Sequence, residues 1–161
     1  MEKLVINNEE LFGQVVELLR EGRQVTIPVK GASMLPFIRE EQDLVVLEGF
    51  EKQGKAGSSY GVRRGDIVLF RYSGKYIMHR VLRVSEGMAF IQGDGVLKGK
   101  EKCGLQDVYG RVVKILRNGV KEVDPSSCAQ RFLWNLWLLF LPLRRYFLGI
   151  YRRWPRKDAN C

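Results

Sequence analysis

Three short stretches of this 161-residue chain carry side chains suited to moving a proton on and off a nucleophile. The first, GASMLPFI at 31–38, presents the hydroxyl of Ser33 between Gly31 and Pro36. It follows a segment in which Val25, Ile27 and Val29 alternate to one side, as in a half-buried strand. The second, YIMHRVLRV at 76–84, holds the sole imidazole, His79, in strand alternation with Ile77 and Val81. The third, IQGDGV at 91–96, sets Asp94 between two glycines just past another strand. A serine hydroxyl is a poor nucleophile until a base takes its proton, and an imidazole base is steadied by a carboxylate. Together the three supply hydroxyl, base and acid, which is the equipment of acyl transfer. Each also has an ordinary reading. Gly, Ser and Pro make turns, a histidine on an apolar strand face is commonly a core residue, and GDG is a frequent bend.

Other chemistries find little here. Cys103, Cys128 and Cys161 are odd in number and far apart, so neither a disulfide framework nor a zinc site is suggested. One histidine excludes a histidine-based metal cluster, and no metal or cofactor is expected. The N-terminus carries Glu2, Glu9 and Glu10 and no apolar run, so neither a cleavable signal nor a membrane span is expected there. With thiols kept reduced, a cytoplasmic setting is expected for the catalytic region.

The elements that must position these residues follow from periodicity. Residues 7–21 read as an amphipathic helix: Asn7 and Glu10 resemble a capping box, and Leu11, Phe12, Val15, Val16 and Leu19 make one stripe. Gly22 suits its stop. From 24 to 124 the chain reads as β, with strands at 24–30, 43–48, 66–72, 75–84, 88–92, 109–117 and 120–123. SGK, SEG and RNG punctuate them as turns. The Gly- and Ser-rich stretch 51–65 reads as a surface loop. The expected organisation is an N-terminal helix (1–23), a β domain (24–124) and a C-terminal aromatic and basic tail (125–161).

Charge is concentrated in that tail. The chain carries +9, and 125–161 holds seven Arg or Lys against Asp158 alone. The uncharged run 132–143 would make only about 18 Å of helix, short of the roughly 20 residues a span needs. Extending it would bury Arg144 and Arg145, at about 2.5–3.5 kcal/mol each at the bilayer centre. Beyond Pro142, helical spacing puts Leu143, Tyr146, Phe147, Ile150 and Trp154 opposite Arg145, Arg152 and Arg156. This is the pattern of a segment lying in the interface of an anionic membrane. The alternative is a helical hairpin packed on the protein's own core. A nucleic-acid arm is disfavoured, because the Leu and Trp density is too high for a solvated strand-binding segment.

Read in order, GASMLPFI, RRGDIVLF (63–70), YIMHRV, IQGDG and LQDVYGRVV (105–113) resemble the serial boxes of the type I signal peptidase and LexA-like serine peptidases. HRV is similar to the archaeal and endoplasmic-reticulum type, which uses histidine where bacterial enzymes use lysine. The resemblance implies a mainly β fold with a coiled sheet core, Ser33 as nucleophile and His79 as general base. For the acid it implies Asp94, with Glu101 or Asp107 as alternatives, or none. It implies a peptide or preprotein substrate cut after a small residue, joining the edge strand 26–30. Val29, Lys30, Gly31 and Met34 are the substrate-binding candidates. Position 31 is Gly, so the oxyanion hole falls to main-chain N–H groups, chiefly that of Ser33. Two other readings stand beside this one: a LexA-like self-cleaving protein, and a non-catalytic membrane-surface or partner-binding module of the same fold. Only about thirty residues precede Ser33, too few for a DNA-binding domain and cleavable linker, which disfavours the self-cleaving reading.

Overall fold

The computed structural model describes residues 8–50, 61–140 and 143–153. Asn7, most of the 51–65 loop, Pro142 and the positions from Trp154 onward lie outside them.

Helix α1 (Asn8–Arg20) buries Val15, Val16 and Leu19, the stripe its periodicity marks. It stops at Gly22, whose φ of +79° lets the chain turn back, with Gly22 N–H donating to the Leu19 carbonyl and Arg23 N–H to that of Leu18. Eight strands follow: β1 (Val25–Pro28), β2 (Leu44–Gly49), β3 (Ile67–Tyr72), β4 (Lys75–Ser85), β5 (Met88–Gln92), β6 (Glu101–Gly104), β7 (Val108–Arg117) and β8 (Lys121–Val123). They form one antiparallel sheet, curled into a half-barrel, in the order β1-β2-β7-β3-β4-β5-β6, with β8 also on β7. Strand register shifts at Val46/Leu47, Leu69/Phe70 and Val81/Arg83, and such bulges sharpen the twist that curls a sheet. Helices α2 (Cys128–Leu139) and α3 (Arg144–Arg153) complete the chain.

The turn signals sit where the chain reverses. Ser73 and Gly74 join β3 to β4, and Glu86 and Gly87 join β4 to β5, each pair with positive φ as a tight two-residue hairpin requires. β6 is the strand that periodicity misses. KEKCG offers one apolar side chain, Cys103, and its pairing is dictated by β5 instead.

Side chains of β3 divide the core. Ile67 and Leu69 face a cluster shared with α1, Met34, Phe37, Ile38 and Trp134, while Val68 and Phe70 face a second cluster with Val81, Ile91 and Leu105. All four are essentially inaccessible, so both faces of the sheet are covered here. Trp134 belongs to the first cluster, so part of the tail is core: α2 packs on the domain by its tryptophans. Leu148 of α3 is buried as well, at 3%, whereas other apolar side chains of the two helices stay outside. Phe132, Leu139, Tyr146 and Ile150 are 57–74% exposed. Among the described residues no helix is long and apolar enough to cross a membrane.

Candidate active site

The loop after β1 is held by its own apolar residues. Met34 and Ile38 are buried to 1% and 0% exposure, each contributing about 1.5–3 kcal/mol. Ile38 N–H donates to the Met34 carbonyl at 3.0 Å and Leu35 N–H to that of Ala32 at 3.3 Å. Gly31, at φ +85°, makes the left-handed exit from the strand that a side chain would resist. The loop therefore leaves Ser33 partly accessible between a sharp turn and two buried anchors.

The GDG bend docks against this loop. Gly95 N–H donates to the Ser33 carbonyl at 2.8 Å. A Cβ at Gly95 would lie 2.7 Å from the Ala32 carbonyl oxygen. At Gly93 it would lie 2.5 Å from the Ser33 carbonyl oxygen and 3.0 Å from His79 Nε2. The two glycines are thus required by close approach. The Gly93 contacts also bring the Ser33 main-chain carbonyl oxygen and His79 Nε2 to the same glycine, no farther apart than those two distances laid end to end. The Ser33 hydroxyl makes no hydrogen bond to His79 in this arrangement. Catalytic hydrogen bonds are commonly loose until substrate tightens them.

His79 projects from the centre of β4, opposite Val68 of β3, beside the Phe70 ring and only 6% exposed. Its Nδ1 faces Glu101 Oε2 at 3.4 Å. Both atoms are sealed from solvent, yet neither has a hydrogen-bond partner. The approach is therefore close but not aligned as a formed bond. Register explains the meeting. Val81 pairs with Ile91 and Ile91 with Glu101, and cross-strand partners share a face. His79, two residues from Val81, shares it too.

Asp94 has a different partner from the one the sequence suggests. The Arg80 guanidinium grips both its carboxylate oxygens, Nε at 2.9 and 3.0 Å and Nη2 at 2.8 Å. Both side chains are almost wholly buried. Phe37 and Trp134 lie 5.1 and 5.2 Å from the guanidinium carbon, and Arg80 also donates to the Gly65 carbonyl. Trp137 Nε1–H donates to the Asp94 carbonyl at 2.9 Å. Asp94 thus clamps the GDG bend to β4 and α2, and the carboxylate facing the imidazole is that of Glu101. Arg80 lies on the strand face opposite His79, where Trp134 of α2 covers its guanidinium. Asp107 lies in the 3-10 turn Leu105–Asp107, where its charge acts on Cys103 and Tyr109. The Cys103 thiol is pushed up to about 11, by burial first and then by Asp107.

The substrate candidates divide. Val29 and Met34 are buried, at 4% and 1%, so their side chains serve the core and not a ligand. Val29 also spends its N–H on Asp43 and its carbonyl on Glu41. Lys30 and Gly31 are exposed, and among the described residues no main-chain hydrogen bond takes up their N–H or C=O groups. β1 is an outer strand of the sheet. The loop's far end is tied down at Asp43, a residue whose role the sequence did not signal. Its carboxylate takes the Arg39 side chain and N–H at 2.9 Å, Arg117 Nη1 at 2.6 Å and the Asn118 N–H at 3.3 Å. Burial alone would raise this carboxyl, but the Arg39 hydrogen bonds, the Arg117 charge and the Asn118 N–H outweigh it and hold it low. Among the described residues no group of three or more His, Cys, Asp or Glu is placed to hold a metal ion.

No model of a known protein family matches this chain, and no curated protein matches it.

Proposed function

We propose that the protein is a serine endopeptidase of signal-peptidase-like type, in which Ser33 attacks a peptide carbonyl and His79 accepts and returns the proton. The observation that carries the reading is that the main chain of the Ser33 loop and His79 Nε2 both close on Gly93, with Glu101 behind Nδ1. Proton transfer to Nε2 would leave an imidazolium with the Glu101 carboxylate 3.4 Å from its Nδ1. That carboxylate favours the charge as it forms. The Ser33 main-chain N–H serves as oxyanion donor, a contribution of about 3 kcal/mol in comparable sites. An extended peptide joins the β1 edge through the main chain of Lys30 and Gly31. Hydrolysis of the acyl-enzyme by water, with His79 now as base, completes the cycle. A small residue before the scissile bond follows from the family resemblance.

The same reading places the protein at an anionic membrane surface through α2 and α3, as a peripheral protein. Exposed Phe132, Leu139, Tyr146 and Ile150 beside a basic tail support it. A second reading, a non-catalytic module of the same fold, draws on the missing Ser33–His79 hydrogen bond. One experiment separates the two. Incubated with a peptide library, the purified protein cuts after small residues and its Ser33→Ala variant cuts nothing. Equal turnover by both would end the peptidase reading.

A further inference from the structure

A groove of about 380 Å³ runs between α2, α3 and the loop that carries Ser33. Pro36 and Phe37 of that loop form one wall, and Leu133, Leu136, Trp137 and Phe147 form others. The volume falls in the range of small-ligand sites, and the lining is almost wholly aliphatic or aromatic. Its walls continue into the exposed apolar surface of the hairpin. Leu133 and Leu136 line the groove yet are 47% and 39% exposed, and Phe132, Leu136 and Leu139 follow helical spacing along α2. Phe37, Trp137 and Phe147 meet edge to face or tilted along it, with ring centroids 6.4 Å apart at each step.

We propose that this groove takes an acyl chain of an anionic phospholipid, so that the bilayer is gripped beside the catalytic loop. The inference rests on the membrane-facing reading of α2 and α3 given above and adds where the lipid enters. Charge chooses the occupant. The segment 125–161 carries seven cationic side chains against one acid, and Arg131 and Arg145 are exposed on the hairpin. A second copy would bring the same charges face to face, whereas an anionic leaflet neutralises them. An aliphatic chain also fits the lining, which presents no ring of polar groups to read a peptide backbone. Pro36 and Phe37 follow Ser33 by three and four residues, and Trp137 holds the Asp94 carbonyl. A lipid chain in the groove therefore sets the nucleophile at the bilayer surface, where a substrate anchored by an apolar segment would present itself.

The test uses the full chain with Trp154→Phe, which leaves Trp134 and Trp137 as the emitting indoles. Trp134 is sealed in the core and Trp137 lies in the groove. The protein is floated with phosphatidylglycerol vesicles, with phosphatidylcholine vesicles, and with phosphatidylglycerol vesicles whose acyl chains are brominated. Flotation with phosphatidylglycerol alone, and loss of most of the Trp137 emission with brominated chains, is the expected result. Leu136→Asp should abolish the quenching. Flotation without quenching overturns the acyl-chain site while leaving surface binding intact. No flotation overturns both. Concentration-dependent dimerisation without vesicles, with the emission unquenched when they are added, assigns the groove to a second copy and likewise overturns the proposal. Reaction of Ser33 with a serine-directed probe in the same samples reports the peptidase reading independently.

Discussion

Glu101 and Asp94, the two acids that bear on the site, make opposite predictions. Glu101 faces His79 Nδ1, while Asp94 is locked to Arg80. Glu101→Gln should leave the fold intact and lower turnover on the order of 10²- to 10⁴-fold, as loss of an orienting acid does elsewhere. Asp94→Asn should act on stability first. It strands a buried guanidinium, and breaking such a pair costs about 3–5 kcal/mol. Thermal unfolding measured beside peptidase turnover separates the two. A stable Asp94→Asn protein with normal Tm would contradict the clamp. His79 was legible because it is the sole imidazole on an alternating strand. Glu101 was legible only as an alternative, because the residues around it show no strand periodicity. The strand that carries it exists because β5 needs a partner, and tertiary pairing of that kind leaves no local trace.

At the scale of elements, the serine loop is held at both ends and along its flank. Gly93 and Gly95 admit it, and Asp43 ties its exit to the turn after β7. Gly93→Ala pushes a methyl onto the Ser33 carbonyl and the imidazole at once. It should cost about 1–3 kcal/mol, as overpacking does, and should also abolish reaction at Ser33. Asp43 gives a pH dependence with a definite sign. Its folded-state carboxyl is held below the ordinary 3.8, so its contribution is fully present above that value and is lost as pH falls through the lower, folded-state value. Asp43→Asn should therefore lower stability by about 3–5 kcal/mol at neutral pH and flatten the acid limb of the stability curve. Urea unfolding across the acid range checks it; an unchanged acid limb would contradict the ion-pair cluster. The first five strands, β7 and α1 follow the sequence pattern closely, since alternation and turn residues are local. The Asp43 cluster is only partly local: Arg39 lies four residues away, but Arg117 and Asn118 reach it from the far end of β7.

For the whole molecule, the tail is both core and surface. The sequence offers a membrane-facing segment and a packed hairpin as alternatives, and α2 combines features of each. Trp134 and Trp137 turn inward, while Phe132 and Leu139 turn outward. Ending the chain at Asp124 removes the indoles that cover Arg80 and hold Asp94, so the shortened protein should lose stability and Ser33 reactivity together. Loss of a buried Trp side chain alone costs about 3–5 kcal/mol. Circular dichroism melts of the two lengths decide this, and equal melting would show that the tail is dispensable to the core. The +9 net charge and its concentration after residue 125 were readable from composition. Which tryptophans turn inward was not, because it depends on packing against Arg80 of β4 and Phe37 of the serine loop, far away in the chain.

Reaction with a fluorophosphonate probe, followed by intact mass and peptide mapping, tests the central claim most directly. A single adduct on Ser33 in the native protein, absent from Ser33→Ala and lost in folded His79→Ala, is the result predicted. Undiminished labelling of His79→Ala, or no labelling of Ser33 in the native protein, would contradict it.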